Sequence, residues 1–217
     1  MEIKQLQVQP AGSPAATLTA YLPERLDQQT RPAIVICPGG GYHFVSPREG
    51  EPVALKLVTQ GFAAFVLDYA VAPVRYPHAL RQLAAAVALV RAHTAEWGLT
   101  PQRVLVAGFS AGGHLAASLA CMASAPVLVD AGYQPEVSRP DGLLLCYPVI
   151  TSGEFAHRDS FTNLLGEGVD ASDQSLEKRV TAQNPPTFIW TTADDGAVPA
   201  VNTLMFAGAL QAAQVPY

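Results

Sequence analysis

Charge is scarce in this chain. Of its 217 residues 14% are Asp, Glu, Lys or Arg, and 13 basic against 18 acidic side chains leave a formal net charge of −5. The basic residues nowhere gather into a stripe, so nucleic acid is not an expected partner. Cysteine is rarer still. Cys37, Cys121 and Cys146 are an odd number in apolar segments without metal-ligand spacing, so they read as buried thiols and no metal site is expected. No apolar run reaches the roughly 18 residues of a membrane span. The alternating start Met1-Glu2-Ile3-Lys4-Gln5-Leu6 lacks the charged head and apolar core of a secretion signal. A cytoplasmic protein with no membrane partner is the expectation. Histidine is also thinly spread, at His43, His78, His93, His114 and His157, with none beyond.

What is present is apolar. At 49% hydrophobic residues the chain can bury a substantial core, and its length suits one domain spanning residues 1–217. Alternation over Ile3 to Val8 and Thr17 to Leu22, with a Pro10 to Pro14 turn between, predicts an opening antiparallel pair. Short apolar runs follow at Ala33 to Cys37, Phe62 to Leu67, Arg103 to Ala107, Leu143 to Cys146 and Thr187 to Thr191. Each is bounded by Gly, Pro or Asp, as in strands buried on both faces of a parallel sheet. Helices are expected from Glu51 to Thr59, from Pro77 to a stop at Gly98, from Ala111 to Ala123 and from Val201 to Ala213. Strand and helix alternate, so the expected class is α/β: a mostly parallel sheet with helices on both faces. The stretch Thr151 to Asn184 is expected to be an irregular insertion that lines or covers a substrate site.

Two loops carry chemistry. Gly108-Phe109-Ser110-Ala111-Gly112 runs from an expected strand into an expected helix, the G-x-S-x-G context of a nucleophile elbow. The sharp turn needs small neighbours, because side chains at the two glycine positions would collide with backbone. Ser110 then stands clear of the sheet, and the N–H of Ala111 at the helix start faces a developing negative charge. His114 lies four residues into that helix and points away from the hydroxyl, so it is not expected to be the base. Earlier in the chain, Pro38-Gly39-Gly40-Gly41-Tyr42 places three glycines directly after a strand, where bare N–H groups can approach a ligand. A phosphate loop would instead need a Gly-Lys-Ser/Thr ending or a G-x-G-x-x-G arrangement. A third segment, Pro185 to Pro199, reads as a strand ending in Asp194 and Asp195, and a carboxylate there could orient a histidine.

Taken together, Cys37 to Tyr42, Asp68 to Pro73 with Tyr76 to Leu80, Trp97-Gly98, Gly108 to His114 and Pro185 to Phe188 with Thr192 to Asp195 resemble the acetylxylan-esterase-like branch of the α/β-hydrolases. That branch lies near the hormone-sensitive-lipase-like esterases and the dienelactone hydrolases. The resemblance implies a serine carboxylic-ester hydrolase acting on short acyl esters, acetyl-sugar esters included, through an acyl-serine and without cofactor or metal. It implies Ser110 as nucleophile, Gly40 and Gly41 with Ala111 as oxyanion donors, and Asp195 as the triad acid, with Asp194 the alternative. Tyr42 and His43, next to the glycine loop, are expected on the substrate side. Pro38 stands where relatives often carry His.

In this family the base comes last, on a loop after the final strand. No histidine follows Asp195, so by the resemblance the chain is expected to be C-terminally truncated, without its last strand, histidine loop and last helix. Weak activity and self-association through the exposed sheet edge are expected in turn. His157 and His43 are the histidines that could reach the serine instead. An amidase or peptidase using the same residues, and a non-catalytic binding protein of the same fold, are the competing readings.

Overall fold

The computed structural model describes residues 1–24 and 29–217. The expected opening pair is present: β1 (Glu2–Val8) and β2 (Ala16–Leu22) run antiparallel, with Leu6 opposite Leu18. The buried runs become β3 (Arg31–Cys37), β4 (Ala63–Asp68), β5 (Leu99–Phe109), β6 (Gly142–Cys146) and β7 (Thr187–Trp190). Among the described residues these form one seven-stranded sheet in the order β1-β2-β4-β3-β5-β6-β7. β2 is antiparallel to both its neighbours, and every pairing from β4 to β7 is parallel.

Side-chain alternation divides this sheet into two faces. Val35 and Cys37 of β3, Phe65 and Leu67 of β4, and Val104 and Val106 of β5 pack against helices His78–Ala92, Ala111–Met122 and Val201–Ala212 through Leu83, Leu115, Leu119 and Phe206. The intervening Ile34, Ile36, Ala64, Ala107 and Phe109 face the opposite side, where helix Glu51–Thr59 covers them with Ala54 and Leu57.

Beyond shifts of one or two residues at element ends, three differences from the sequence reading stand out. β5 starts at Leu99, four residues before Arg103, because Leu99 pairs with Arg31 ahead of a register shift that brings Val104 opposite Ala33. The helix expected to run unbroken to Gly98 stops at Ala92. A separate turn, Thr94–Trp97, follows and is capped by Gly98 in the left-handed region that glycine adopts without strain. The insertion is not irregular throughout, since Arg158–Leu165 forms a helix that buries Phe161 and Leu164, three residues apart on one side.

Candidate active site

The strand order reverses between β3 and β5. The chain leaves β3 to build β4 on one side and later returns to add β5 on the other, so the loops leaving their C-terminal ends open a crevice. Cys37 lies level with Gly108, and the glycine loop and the Ser110 turn therefore emerge side by side. Ser110 has φ 52° and ψ −119°, a conformation that costs a non-glycine residue about 1–3 kcal/mol and persists only where the surroundings enforce it.

Those surroundings are backbone. The Ser110 N–H donates to the Cys146 carbonyl, and the Ser110 carbonyl accepts from Gly113, His114 and Val149. A Cβ on Gly108 would lie 2.3 Å from the Gly112 carbonyl oxygen, and one on Gly112 would lie 2.1 Å from that of Cys37. The collision expected at both flanking positions is thus real, and the second one is with the strand that carries the glycine loop. Ser110 is half-buried at the head of helix Ala111–Met122. Among the described residues no group hydrogen-bonds its Oγ, and none accepts the N–H of Ala111.

The glycine loop is held at each residue. Pro38 presents its carbonyl to the Tyr69 hydroxyl at 2.6 Å, and Gly39 donates its N–H to Glu49 Oε2 at 2.7 Å. The Gly39 carbonyl accepts from Ser46, and that of Gly40 accepts from His43 and Phe44, closing a turn. Gly40 has φ 126°, and a Cβ there would overlap the Phe44 carbonyl oxygen at 2.0 Å. The Gly41 carbonyl accepts from Asn163 Nδ2 at 2.9 Å, and Asn163 lies on the helix of the insertion. Two donors are left over: among the described residues nothing accepts the N–H of Gly40 or Gly41.

Gly40, Gly41, Ser110, Glu49, His157 and Asp195 line one cleft of about 510 Å³. Asp195 sits beyond the end of β7, with Oδ1 accepting the N–H groups of Ala197 and Val198 at 2.9 Å each. That bonding is also what an ordinary Asp turn would show. Asp194 is exposed and lies outside the cleft lining.

Tyr42 departs from expectation. It is 2% exposed, and its hydroxyl lies 3.0 Å from His114 Nδ1, so it faces the core and not a substrate. The cause is local. Tyr42 has φ 55°, which turns its side chain beneath the loop, and its carbonyl accepts the N–H of Ala72. His43, by contrast, is exposed on the cleft wall with its ring perpendicular to that of Phe44. His114 is engaged on both nitrogens, by Tyr42 and by the Gln174 carbonyl, and burial lowers its pKa to about 4. A neutral imidazole wedged behind the loop cannot serve Ser110. His157 reaches the cleft from the insertion, where its Nδ1 is 2.8 Å from Ser160 Oγ. The cysteines are unpaired: Cys37 and Cys146 are buried and Cys121 is half-buried, and burial raises the pKa of all three, to about 11 for Cys121 and Cys146. Sequence reasoning missed Glu49 and Asn163, because their bonding to the glycine loop depends on tertiary placement.

A sheet whose order turns at β3/β5, with a strained serine at the following helix and a glycine loop beside it, defines an α/β-hydrolase fold. The BD-FAE family pattern matches residues 18–138, more than half of the chain, and the protein belongs to that family, within the acetylxylan-esterase-like and carboxylesterase branch. It is 35% identical over 207 residues to endo-1,4-beta-xylanase B of Butyrivibrio fibrisolvens, covering 92% of this chain and 32% of that protein. With the acetylxylan esterase of Xylanibacter ruminicola it shares 34% identity over 201 residues, covering 86% of this chain and 38% of that one. The chain thus spans about a third of the length of these curated relatives. Among solved structures, the acetyl ester-xyloside bifunctional hydrolase of Caldicellulosiruptor lactoaceticus superposes with a TM-score of 0.85 at 38% identity, over 96% of this chain and 77% of that one.

Proposed function

We propose that the protein is a serine carboxylic-ester hydrolase that cleaves short acyl esters, acetyl groups on sugars among them. The observation that carries this reading is a strained Ser110 at the head of a helix, lining one cleft with Gly40 and Gly41: among the described residues its Oγ has no hydrogen bond and the N–H groups of Gly40, Gly41 and Ala111 have no acceptor. The names of the relatives, a xylanase and an acetylxylan esterase, support the acyl and sugar halves of the substrate.

In this reading Ser110 Oγ attacks the acyl carbon while its proton passes to a base. The carbonyl oxygen becomes an oxyanion held by the three donors, each worth a few kcal/mol where water is excluded. The tetrahedral intermediate collapses by expelling the alcohol, which takes up the proton, and an acyl-serine remains. Water then adds to that ester and releases the acid, restoring Ser110. Asp195 is proposed to orient an imidazole, and its inclusion in the cleft supports it over Asp194.

Among the described residues no imidazole bonds to Ser110 Oγ, and His43 and His157 are the histidines that share its cleft. The chain is therefore expected to turn over slowly, on oxyanion stabilisation and binding more than on proton transfer. The same fact favours the second reading, a binding protein of hydrolase fold. Its three unpaired thiols suit a reducing, cytoplasmic setting.

Fluorophosphonate labelling together with hydrolysis of acetyl, butyryl and longer esters, beside formyl and peptide amides, tests the proposal. Ser110→Ala deletes one hydroxyl. It should abolish both signals and leave the thermal melt in place. Activity that survives the substitution would remove Ser110 from its role. A wild-type serine that takes no label at all would leave the binding-protein reading standing, and amide cleavage faster than ester cleavage would make the protein an amidase.

A further inference from the structure

We infer that Glu49 and Asn163 are positioning residues which together set the direction of the two donors on the glycine loop, an inference that rests on the esterase reading above. A three-glycine loop has the largest conformational entropy a chain can have. The turn closed on the Gly39 and Gly40 carbonyls by Ser46, His43 and Phe44 fixes part of its shape, and what remains is to aim Gly40 and Gly41 at the reacting oxygen.

Two side chains bracket those donors. On the near side Glu49 takes the N–H of Gly39 at 2.7 Å with one carboxylate oxygen, and its other oxygen accepts the Tyr147 hydroxyl at 3.0 Å. Tyr147 follows β6, has φ 39°, donates its N–H to the Trp190 carbonyl and packs its ring against Phe109 and Trp190. Glu49 thus ties the loop after β3 to the end of β6 across the serine turn. The fit is close, because a Cβ on Gly39 would lie 2.8 Å from Glu49 Oε2 and 3.1 Å from Ser110 Cβ. On the far side Asn163 donates to the Gly41 carbonyl at 2.9 Å. With the Gly39 N–H and the Gly41 carbonyl both fixed, the peptide planes between them have little freedom. Those planes carry the N–H groups of Gly40 and Gly41.

Both oxygens of Glu49 are already engaged, which separates it from a proton-transfer group, and the amide of Asn163 donates to backbone. Neither is assigned a contact with the substrate. Their effect should therefore fall on kcat and leave KM nearly unchanged, since the oxyanion forms only after the ester is bound.

The test compares Glu49→Ala, Glu49→Gln, Asn163→Ala and Asn163→Asp with wild type and with Ser110→Ala as background. It measures p-nitrophenyl acetate hydrolysis and amide hydrogen exchange of the peptide covering residues 38–46. Glu49→Ala should lower kcat by about 100-fold, the scale of one lost oxyanion donor, with KM within about twofold. Glu49→Gln keeps one carbonyl oxygen and should recover part of the loss. Asn163→Asp keeps the shape but loses the donor, so it should behave like Asn163→Ala. In the impaired variants the loop peptide should exchange about tenfold faster while peptides from β3 and helix Ala111–Met122 do not change. A raised KM with intact kcat would make these side chains substrate contacts and overturn the inference, as would unchanged loop exchange. If wild type and Ser110→Ala do not differ in rate, it is the esterase reading that fails. Loop exchange then still decides whether Glu49 and Asn163 hold the loop.

Discussion

The middle of the sheet and its β7 flank contribute to the same cleft under different physical control. At β3 and β5 the loops are enforced by backbone against backbone: Gly112 packs against the Cys37 carbonyl, Gly39 against Phe109 and Ser110, and helices lie on both faces. Asp195 instead follows β7, the last strand of the sheet, whose Phe188 and Trp190 are 62% and 40% exposed. The nucleophile is thus positioned by steric necessity, and the glycine loop beside it is trimmed by Glu49 and Asn163. The acid is positioned by two hydrogen bonds inside its own turn.

If that contrast holds, substitutions at the glycines flanking the serine should be all-or-none and those at the flank graded. Gly112→Val should prevent recovery of folded protein, because on this backbone its Cβ would lie 2.1 Å from the Cys37 oxygen and 2.4 Å from that of Pro38. A folded, cooperatively melting Gly112→Val would show that the crossing yields more than the geometry allows. Asp195→Asn keeps an acceptor for Ala197 and Val198, so it should leave the melt nearly in place. It should lower kcat, by up to roughly 10⁴-fold where an imidazole serves the serine. Asp194→Asn should change little, and the reverse ranking would reassign the acid.

The central region also carries a pH dependence. His114 is buried with its pKa lowered to about 4 from 6.5. Below pH 6.5 the unfolded chain takes up this proton first, so stability falls as pH drops from 6.5 to 4 and levels off beneath. The loss from this group is of order 3 kcal/mol at most. Urea titrations from pH 7 to 4 should show it, and His114→Gln should flatten that part of the curve. A curve of the same shape in both proteins would place the titration elsewhere.

What was legible in the sequence follows the same division. The seven strands and the serine turn could be read because period, punctuation and a five-residue motif are local signals. The inward turn of Tyr42 was not legible, since it depends on a left-handed φ that nothing about tyrosine announces. Nor were the roles of Glu49 and Asn163: the partner of Glu49 lies 10 residues back in the same connection, across a turn that no pattern marks, and that of Asn163 lies 122 residues away. The helix Arg158–Leu165 was passed over because eight residues around one Phe and two Leu are too short to show a period.

The smallest expected effect belongs to the flank alone. Leu105, Phe188, Pro216 and Tyr217 line an open groove of about 520 Å³, on the side of the sheet where helix Glu51–Thr59 covers the β3–β4 half. Pro216 accepts the N–H of Thr187, which ties down one end of β7, but the aromatic face beyond it stays in water. Burying a side chain of this size is worth about 1.5–3 kcal/mol. Two or three of them offset only part of the entropy cost of pairing two molecules, so self-association through this face should be weak. Sedimentation velocity should show a weight-average coefficient that rises with concentration. The rise should diminish in Phe188→Lys and further in Phe188→Lys with Trp190→Lys, while Ser110 keeps its reactivity toward fluorophosphonate. A protein that stays monomeric across the range would mean that the exposed aromatics of β7 carry no self-recognition. An association that survives the double substitution would move the contact to another surface.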